Sequence, residues 1–112
     1  MIYELRTYQL VRQNIGVFLD RFRAHTVAKF REHGIELVGC WMTEIGDGPE
    51  LVLLLAFPEL GARQRSFAAL DADEEFAAAR AAEPEYLVVM PSSLVFVRRI
   101  IAALPCRRPQ GS

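Results

Sequence analysis

Apolar residues are most concentrated in residues 34–57, where the sequence reads GIELVGCWMTEIGDGPELVLLLAF. This pattern predicts two β-strands joined by a turn at residues 45–49, because Gly46 and Gly48 can adopt positive φ at little cost. The second strand, residues 51–57, is apolar at every position. Since alternate side chains of a strand point to opposite faces, both faces of this strand have to be covered.

The segment before this hairpin predicts a strand followed by a helix. Residues 2–9 alternate between two faces, one of them charged, as in a strand. A stripe of residues, three of them phenylalanines, then recurs every four positions, which predicts an amphipathic helix that ends at Gly34. The members of this apolar stripe are Phe18, Phe22, Thr26 and Phe30, with Leu19 and His25 on neighbouring turns.

The segment after the hairpin predicts a second helical region and a last strand. The helical region runs over residues 59–82, and a break is expected where Asp71 and Glu74 resemble a capping box. Residues 93–98, SLVFVR, predict the fourth strand after a link around Pro91.

The order strand, helix, strand, strand, helix, strand predicts the ferredoxin-like βαββαβ arrangement. It is an α+β fold in which a four-stranded antiparallel sheet, with its first and third strands central, carries the helices on one face. The apolar face opposite the helices needs a cover, and a second copy of the chain supplies one by packing sheet against sheet. We therefore expect a homodimer of single domains, residues 1–104, each followed by a flexible tail, residues 105–112.

Charge and hydropathy exclude several classes of function. The 13 basic and 14 acidic side chains leave a formal charge of -1, which offers no net field to attract nucleic acid or anionic lipid. The apolar run at residues 51–57 is far shorter than the roughly 20 residues that cross a bilayer. The N-terminus lacks the features of a signal peptide, so a cytoplasmic location is expected, with Cys40 and Cys106 as free thiols.

The sequence predicts no metal site and no bound cofactor. His25 and His33 are separated by about 12 Å along one helix, too far for both to bind one metal ion. His33 is instead expected to serve the carbonyl groups at the helix end. Gly46 and Gly48 do not open a helix as the glycines of nucleotide-binding loops do. Any chemistry is therefore expected to be cofactor-independent or to use a cofactor borrowed into a cavity.

Several segments together resemble the NIPSNAP family. They are IYELRTY at the start, FLDRFRAHTVAKFREHGIELVGCW in the first helix and second strand, TEIGD at the turn, and AF followed by ELGARQ. The resemblance extends over residues 2–76 and implies a dimeric α+β barrel, the fold of small monooxygenases, isomerases and haem-handling proteins. A single minimal domain without a targeting segment is similar to the bacterial members.

Three polar side chains of the first strand, Glu4, Arg6 and Tyr8, share one face. An acid or base beside an anion-holding arginine suits chemistry on an enolisable or phenolic small molecule, so all three are candidate catalytic residues. The alternative is a cross-strand ion pair that lines the subunit interface. Arg63 and Arg65 are expected on a solvated face of the second helical region.

His25 is the fourth candidate catalytic residue, because the apolar stripe around Phe22 directs it toward the sheet. A neutral imidazole there could act as a base, and the alternative is a buried structural histidine. Trp41 and Phe22 are candidate substrate-binding residues in a cavity between the first helix and the sheet, with a core position as the alternative for Trp41. Glu44 is a candidate at the pocket mouth or, alternatively, an exposed residue at a strand end.

These observations favour a small-molecule enzyme of the dimeric α+β barrel class, a cofactor-independent monooxygenase, isomerase or cyclase. Its pocket would lie between the sheet and the helices. The alternative is a non-catalytic member that binds a ligand or another protein. The two hypotheses differ in whether His25, or the face with Glu4 and Arg6, opens into a cavity.

Overall fold

The computed structural model describes residues 1–10, 12–81 and 88–97 of the 112 in the chain. The expected tail, residues 105–112, lies outside the described residues. Four strands form one sheet: β1 (Ile2–Leu10), β2 (Glu36–Met42), β3 (Glu50–Phe57) and β4 (Val88–Phe96).

The strands pair antiparallel in the order β2-β3-β1-β4, so that β1 and β3 are central, as predicted. Helical segments connect them: a 3-10 turn (Arg12–Asn14), α1 (Ile15–Arg21), a π-helical turn (Phe22–Thr26), α2 (Val27–Glu32), α3 (Leu60–Asp71) and α4 (Glu74–Ala81). The predicted ferredoxin-like α+β fold is confirmed. Over the described ranges, no helix combines the length and apolar character that crossing a bilayer would require.

The π-helical turn explains how aromatic residues at four-residue intervals are buried together. In an α-helix each residue advances by about 100°, which would place Phe30 about 120° around the axis from Phe18. The wider π-helical turn reduces the advance per residue. As a result Phe18, Phe22 and Phe30 are all buried.

The helix around Phe30 ends at Gly34, as predicted. The φ of Gly34 is 75°, in the left-handed region that glycine adopts without a steric penalty. Its N–H donates to the Arg31 carbonyl at 3.3 Å, and the Ile35 N–H donates to the Phe30 carbonyl at 2.8 Å. These two bonds form a Schellman motif, and the buried side chains of Phe30 and Ile35 provide its apolar contact.

Two details of the strands differ from the prediction. The β2–β3 turn lies where expected, but neither Gly46 nor Gly48 has a positive φ. β4 begins before residues 93–98, and Pro91 is part of it, opposite Tyr8. Proline is tolerated there because β4 is an edge strand.

The break between α3 and α4 is confirmed, although its capping residue is not the predicted Asp71. The Phe76 N–H donates to Oδ1 of Asp73 at 2.9 Å, so Asp73 is the N-cap of α4. Since both aspartates precede the helix by a few residues, the sequence alone could not select between them.

The helices cover only one side of the sheet. On this helix side, alternate residues of β3 are buried together with the helix aromatics. The core consists of Ile2, Leu10, Phe18, Phe22, Phe30, Ile35, Leu51, Leu53, Leu55, Phe57, Leu70 and Phe76. The opposite side of the sheet, which we call the open side, has none of the described helices over it. There Leu5 of β1 lies between Leu54 of β3, which is half-buried, and Leu94 of β4, which is 62% exposed.

Candidate functional site

The three predicted catalytic residues of β1 lie on the helix side of the sheet, among apolar core residues. Glu4 is 0% exposed. Its Oε2 accepts a hydrogen bond from Nη1 of Arg6 at 2.9 Å, and Nε of Arg6 donates to the Tyr8 hydroxyl oxygen at 3.1 Å. The three side chains face the helices, and the ion pair that Glu4 forms on this strand is with Arg6, two residues along β1.

A second arginine reaches the same carboxylate from α3. Nε of Arg63 donates a short hydrogen bond to Oε1 of Glu4. The expectation that Arg63 lies on a solvated face is wrong, whereas Arg65 is 73% exposed and pairs with Glu59. The missed signal is the spacing of Arg63 and Phe67, which four residues apart on a helix share one face.

The two arginines also contact one aromatic ring. The guanidinium carbons of Arg6 and Arg63 each lie 5.0 Å from the centroid of the Phe67 ring. This distance is within the range of cation–π attraction. We call Glu4, Arg6, Tyr8, Arg63 and Phe67 the arginine cluster.

The charges of the arginine cluster do not cancel. One carboxylate faces two guanidinium groups, which leaves a formal charge of about one positive unit beside an apolar core. Burial alone would raise the pKa of Glu4, but the hydrogen bond from Arg63 and the charges of Arg6 and Arg63 outweigh it and lower the pKa below its ordinary value. Burial opposes the charged form of Arg6 as well, yet Tyr8 and Glu4 raise the pKa of Arg6. Glu4 is thus an ionised acceptor that holds both arginines.

The arginine side chains retain access to solvent. The side chain of Arg6 is 21% exposed and that of Arg63 is 25% exposed, although the carboxylate between them is fully covered. Part of each arginine side chain is therefore in contact with solvent, whereas Glu4 is not. Chemically, the arrangement can hold an anionic oxygen and offer it the Tyr8 hydroxyl as a proton donor.

His25 does not belong to this cluster. It lies within the π-helical turn and is exposed. The prediction of a buried His25 that faces an internal cavity is wrong, because the π-helical turn rotates the residues after Phe22 away from the positions that an α-helix would give them.

The predicted substrate-binding residues Phe22 and Trp41 do come together. Both line a groove of about 280 Å³ at the edge of the sheet. It lies between β2 and the first helical segment, which consists of α1, the π-helical turn and α2. Trp41 is 54% exposed, so it is not a core residue. Its ring lies over Gly39, where an added Cβ would collide with it. We call this feature the edge groove, and its lining residues are Leu19, Phe22, Arg23, Val27, Leu37, Cys40, Trp41, Met42 and Leu51.

Glu44 lies in the β2–β3 turn and is exposed. It does not line the edge groove, and it makes no contact with the arginine cluster among the described residues. Its position matches the alternative of an exposed residue at the end of a strand.

A second polar cluster joins α2 to the start of α4. Ligand atoms of Glu32, His33 and Asp73 lie within 4.8 Å of one another. The ammonium group of Lys29 already bonds Oδ2 of Asp73 at 2.9 Å and Oε2 of Glu32 at 3.0 Å. Nε2 of His33 is 2.7 Å from the same Oδ2, so His33 contacts Asp73 rather than the helix carbonyls. The hydrogen bonds from His33, Phe76 and Lys29 lower the pKa of Asp73. We interpret this cluster as an ion-pair junction between helices.

Comparison with solved structures identifies close matches in fold. A NIPSNAP family protein of unknown function from Agrobacterium tumefaciens is 29% identical, with a TM-score of 0.78 and 86% of each chain covered. An uncharacterized NIPSNAP-like domain protein from Burkholderia xenovorans is 24% identical, with a TM-score of 0.80, and the match covers 99% of this chain and 97% of that one. A protein from Deinococcus radiodurans, provisionally described as an antibiotic biosynthesis monooxygenase, is 14% identical, with a TM-score of 0.63 over 95% of this chain and 100% of that one.

A search of the curated proteins gave no match. The model of the NIPSNAP family, by contrast, matches residues 3–98. This range includes the predicted catalytic residues of β1, both sides of the edge groove and the strand β4. The match extends over most of the chain, and the chain therefore belongs to the NIPSNAP family.

Proposed function

We propose that this protein is a small-molecule enzyme of the dimeric α+β barrel class, and that the arginine cluster binds an aromatic or enolisable organic anion. The observation that carries the proposal is the surplus positive charge of Arg6 and Arg63 around the single carboxylate of Glu4. A surplus positive charge beside an apolar core attracts an anion.

Stability alone is a weak reason for this arrangement. Removing charged groups from water costs several kcal/mol per ion, and replacing a buried ion pair by packed apolar residues is often neutral or stabilising. The same side of the sheet holds Leu51, Leu53 and Leu55, so apolar side chains fit this environment. A cluster with one more cation than anion in such a place suits a binding role, since the ligand supplies the missing negative charge.

The chemistry follows from the donors. Monooxygenation, isomerisation and cyclisation of phenols or β-dicarbonyl compounds share an intermediate with negative charge on oxygen. Arg6 and Arg63 would stabilise that oxygen, and the hydroxyl of Tyr8 would donate or accept its proton. Glu4 would position the arginines, because its lowered pKa makes it a weak base. The monooxygenase description of the Deinococcus radiodurans neighbour supports the same class of chemistry.

We also propose a homodimer through the open side of the sheet. Leu94 and Phe96 are 62% and 50% exposed there, next to the central strands. Two large exposed apolar side chains on one face of an edge strand support an interaction site there. A second copy would cover it with an interface that buries more than about 1,000 Å² in total.

A non-catalytic ligand-binding or interaction protein is the second candidate. The lowered pKa of Glu4 favours this non-catalytic candidate, because it makes the Glu4 carboxylate a poor base for removing a proton from carbon. In this case the cluster would bind an anion without transforming it.

Phenylpyruvate, an aromatic and enolisable anion, is a suitable probe, and phenylacetone is its uncharged control. We expect phenylpyruvate, but not phenylacetone, to raise the melting temperature, and we expect the protein to accelerate exchange of its methylene protons with D₂O, followed by NMR. Arg63→Gln should weaken phenylpyruvate binding at least tenfold and slow the exchange of its methylene protons at least tenfold. Arg65→Gln, on the same helix but exposed, is the matched control and should change neither.

The outcomes separate the two candidates. Binding of phenylpyruvate without faster proton exchange would support the non-catalytic alternative. Equal binding of the anion and the ketone, or equal effects of the two arginine substitutions, would contradict a role for the arginine cluster.

A further inference from the structure

We infer that the edge groove is a second ligand site, separate from the arginine cluster, and that it takes an amphipathic organic anion such as a medium-chain carboxylate. Nothing in the proposed enzyme function requires this site. The inference depends on the lining of the groove, on one cation at its wall and on its position at an uncovered edge of the sheet.

The lining suits an apolar chain. The first helical segment contributes one wall and β2, with one residue of β3, contributes the other. At about 280 Å³ the groove is near the lower end of the size range of small-molecule sites. The apolar side chains of its two walls are Leu19, Phe22, Val27, Leu37, Met42 and Leu51.

Arg23 is the charged residue of this lining. It is exposed and forms no ion pair with a carboxylate of the described ranges. Its charge acts on a neighbouring residue of the groove, Cys40. Burial raises the pKa of the Cys40 thiol, and the positive charge of Arg23 opposes that rise. An apolar groove with a single unpaired cation at its wall is complementary to a molecule with an apolar body and one anionic head.

Trp41 makes the groove directly observable. It is the only tryptophan of the 112 residues, and it lines the groove with half of its surface exposed. A ligand that covers the indole should shift its fluorescence to shorter wavelength. Decanoate below its micelle concentration is the probe, and decanol and decyltrimethylammonium are the neutral and cationic controls.

We expect decanoate to shift the Trp41 emission and to bind at least tenfold more tightly than either control. Arg23→Gln should weaken decanoate at least fivefold and leave decanol unchanged. Arg31→Gln removes an exposed arginine of α2 that does not line the groove, and it should have no effect. Arg63→Gln should also leave decanoate binding unchanged, which distinguishes this site from the arginine cluster.

Alkylation of Cys40 gives a second readout. In a Cys106→Ser background, iodoacetamide should modify the exposed Cys40, and decanoate should slow the reaction. Equal affinities for decanoate and decanol would overturn the anion site, and so would equal effects of the two arginine substitutions. An emission shift that depends on protein concentration and not on decanoate would assign the groove to a second copy of the chain and overturn the inference.

Discussion

Replacing Glu4 by glutamine tests the interpretation of the arginine cluster most directly. The substitution keeps the shape of the side chain and removes the charge that both arginines share. Nη1 of Arg6 and Nε of Arg63 each lose a carboxylate acceptor, and two cations are then left beside each other. Removing one member of a buried ion pair costs about 3–5 kcal/mol.

We expect Glu4→Gln to lower the free energy of unfolding by about 3 kcal/mol, the lower end of that range. The amide oxygen of glutamine still accepts one hydrogen bond, and the side chains of Arg6 and Arg63, 21% and 25% exposed, can turn toward water. Urea unfolding followed by circular dichroism measures the change, at one fixed protein concentration because the stability of the proposed dimer would depend on concentration. Glu75→Gln removes a carboxylate that is 85% exposed and bonded to Lys29, and as the control it should change little.

The pH dependence gives the prediction a second test. The pKa of Glu4 is lowered in the folded protein, so its stabilisation is fully present above the pKa of the unfolded chain, about 4.3, and is lost as the pH falls through the folded value. The difference between wild type and Glu4→Gln should therefore narrow below about pH 4.3. A loss smaller than about 1 kcal/mol at pH 7, or a loss that does not change with pH, would refute the reasoning.

Two further predictions concern the fold. Gly34→Ala should lower the free energy of unfolding by about 1–2 kcal/mol, because Gly34 has a left-handed φ of 75°. Gly16→Ala, in α1 with open space around the added Cβ, is the control and should not lower it. Urea unfolding checks both, and similar losses would contradict the explanation by the left-handed φ. Leu54→Asp, on the open side, should give a folded protein that sediments as a monomer. Leu53→Asp replaces a residue that is 0% exposed on the helix side, and it should unfold the protein. A wild type that sediments as a monomer would contradict the proposed dimer.

Much of the fold follows from local sequence patterns. The order of elements, the central positions of β1 and β3 and the helix end at Gly34 were all predicted, because hydrophobic periodicity and glycine conformation act within a few residues. The spacing of Phe18, Phe22 and Phe30, four and then eight residues, also contained the information for the π-helical turn. A regular α-helix with that spacing would direct His25 toward the sheet, and the π-helical turn is the reason that this prediction is wrong.

The candidate sites depend on contacts that no local pattern reports. The sequence placed Glu4, Arg6 and Tyr8 on one strand face, since strand side chains alternate. It did not show which side of the sheet that face would take, nor that Arg63 would meet Glu4 across 59 residues of sequence. The pairing of Asp73 with Lys29 likewise spans 44 residues. Local propensity determined the elements of this protein, whereas the packing of α3 and α4 against β1 and α2 decided where the charges meet, because ion pairs between distant residues form only once the helices are docked on the sheet.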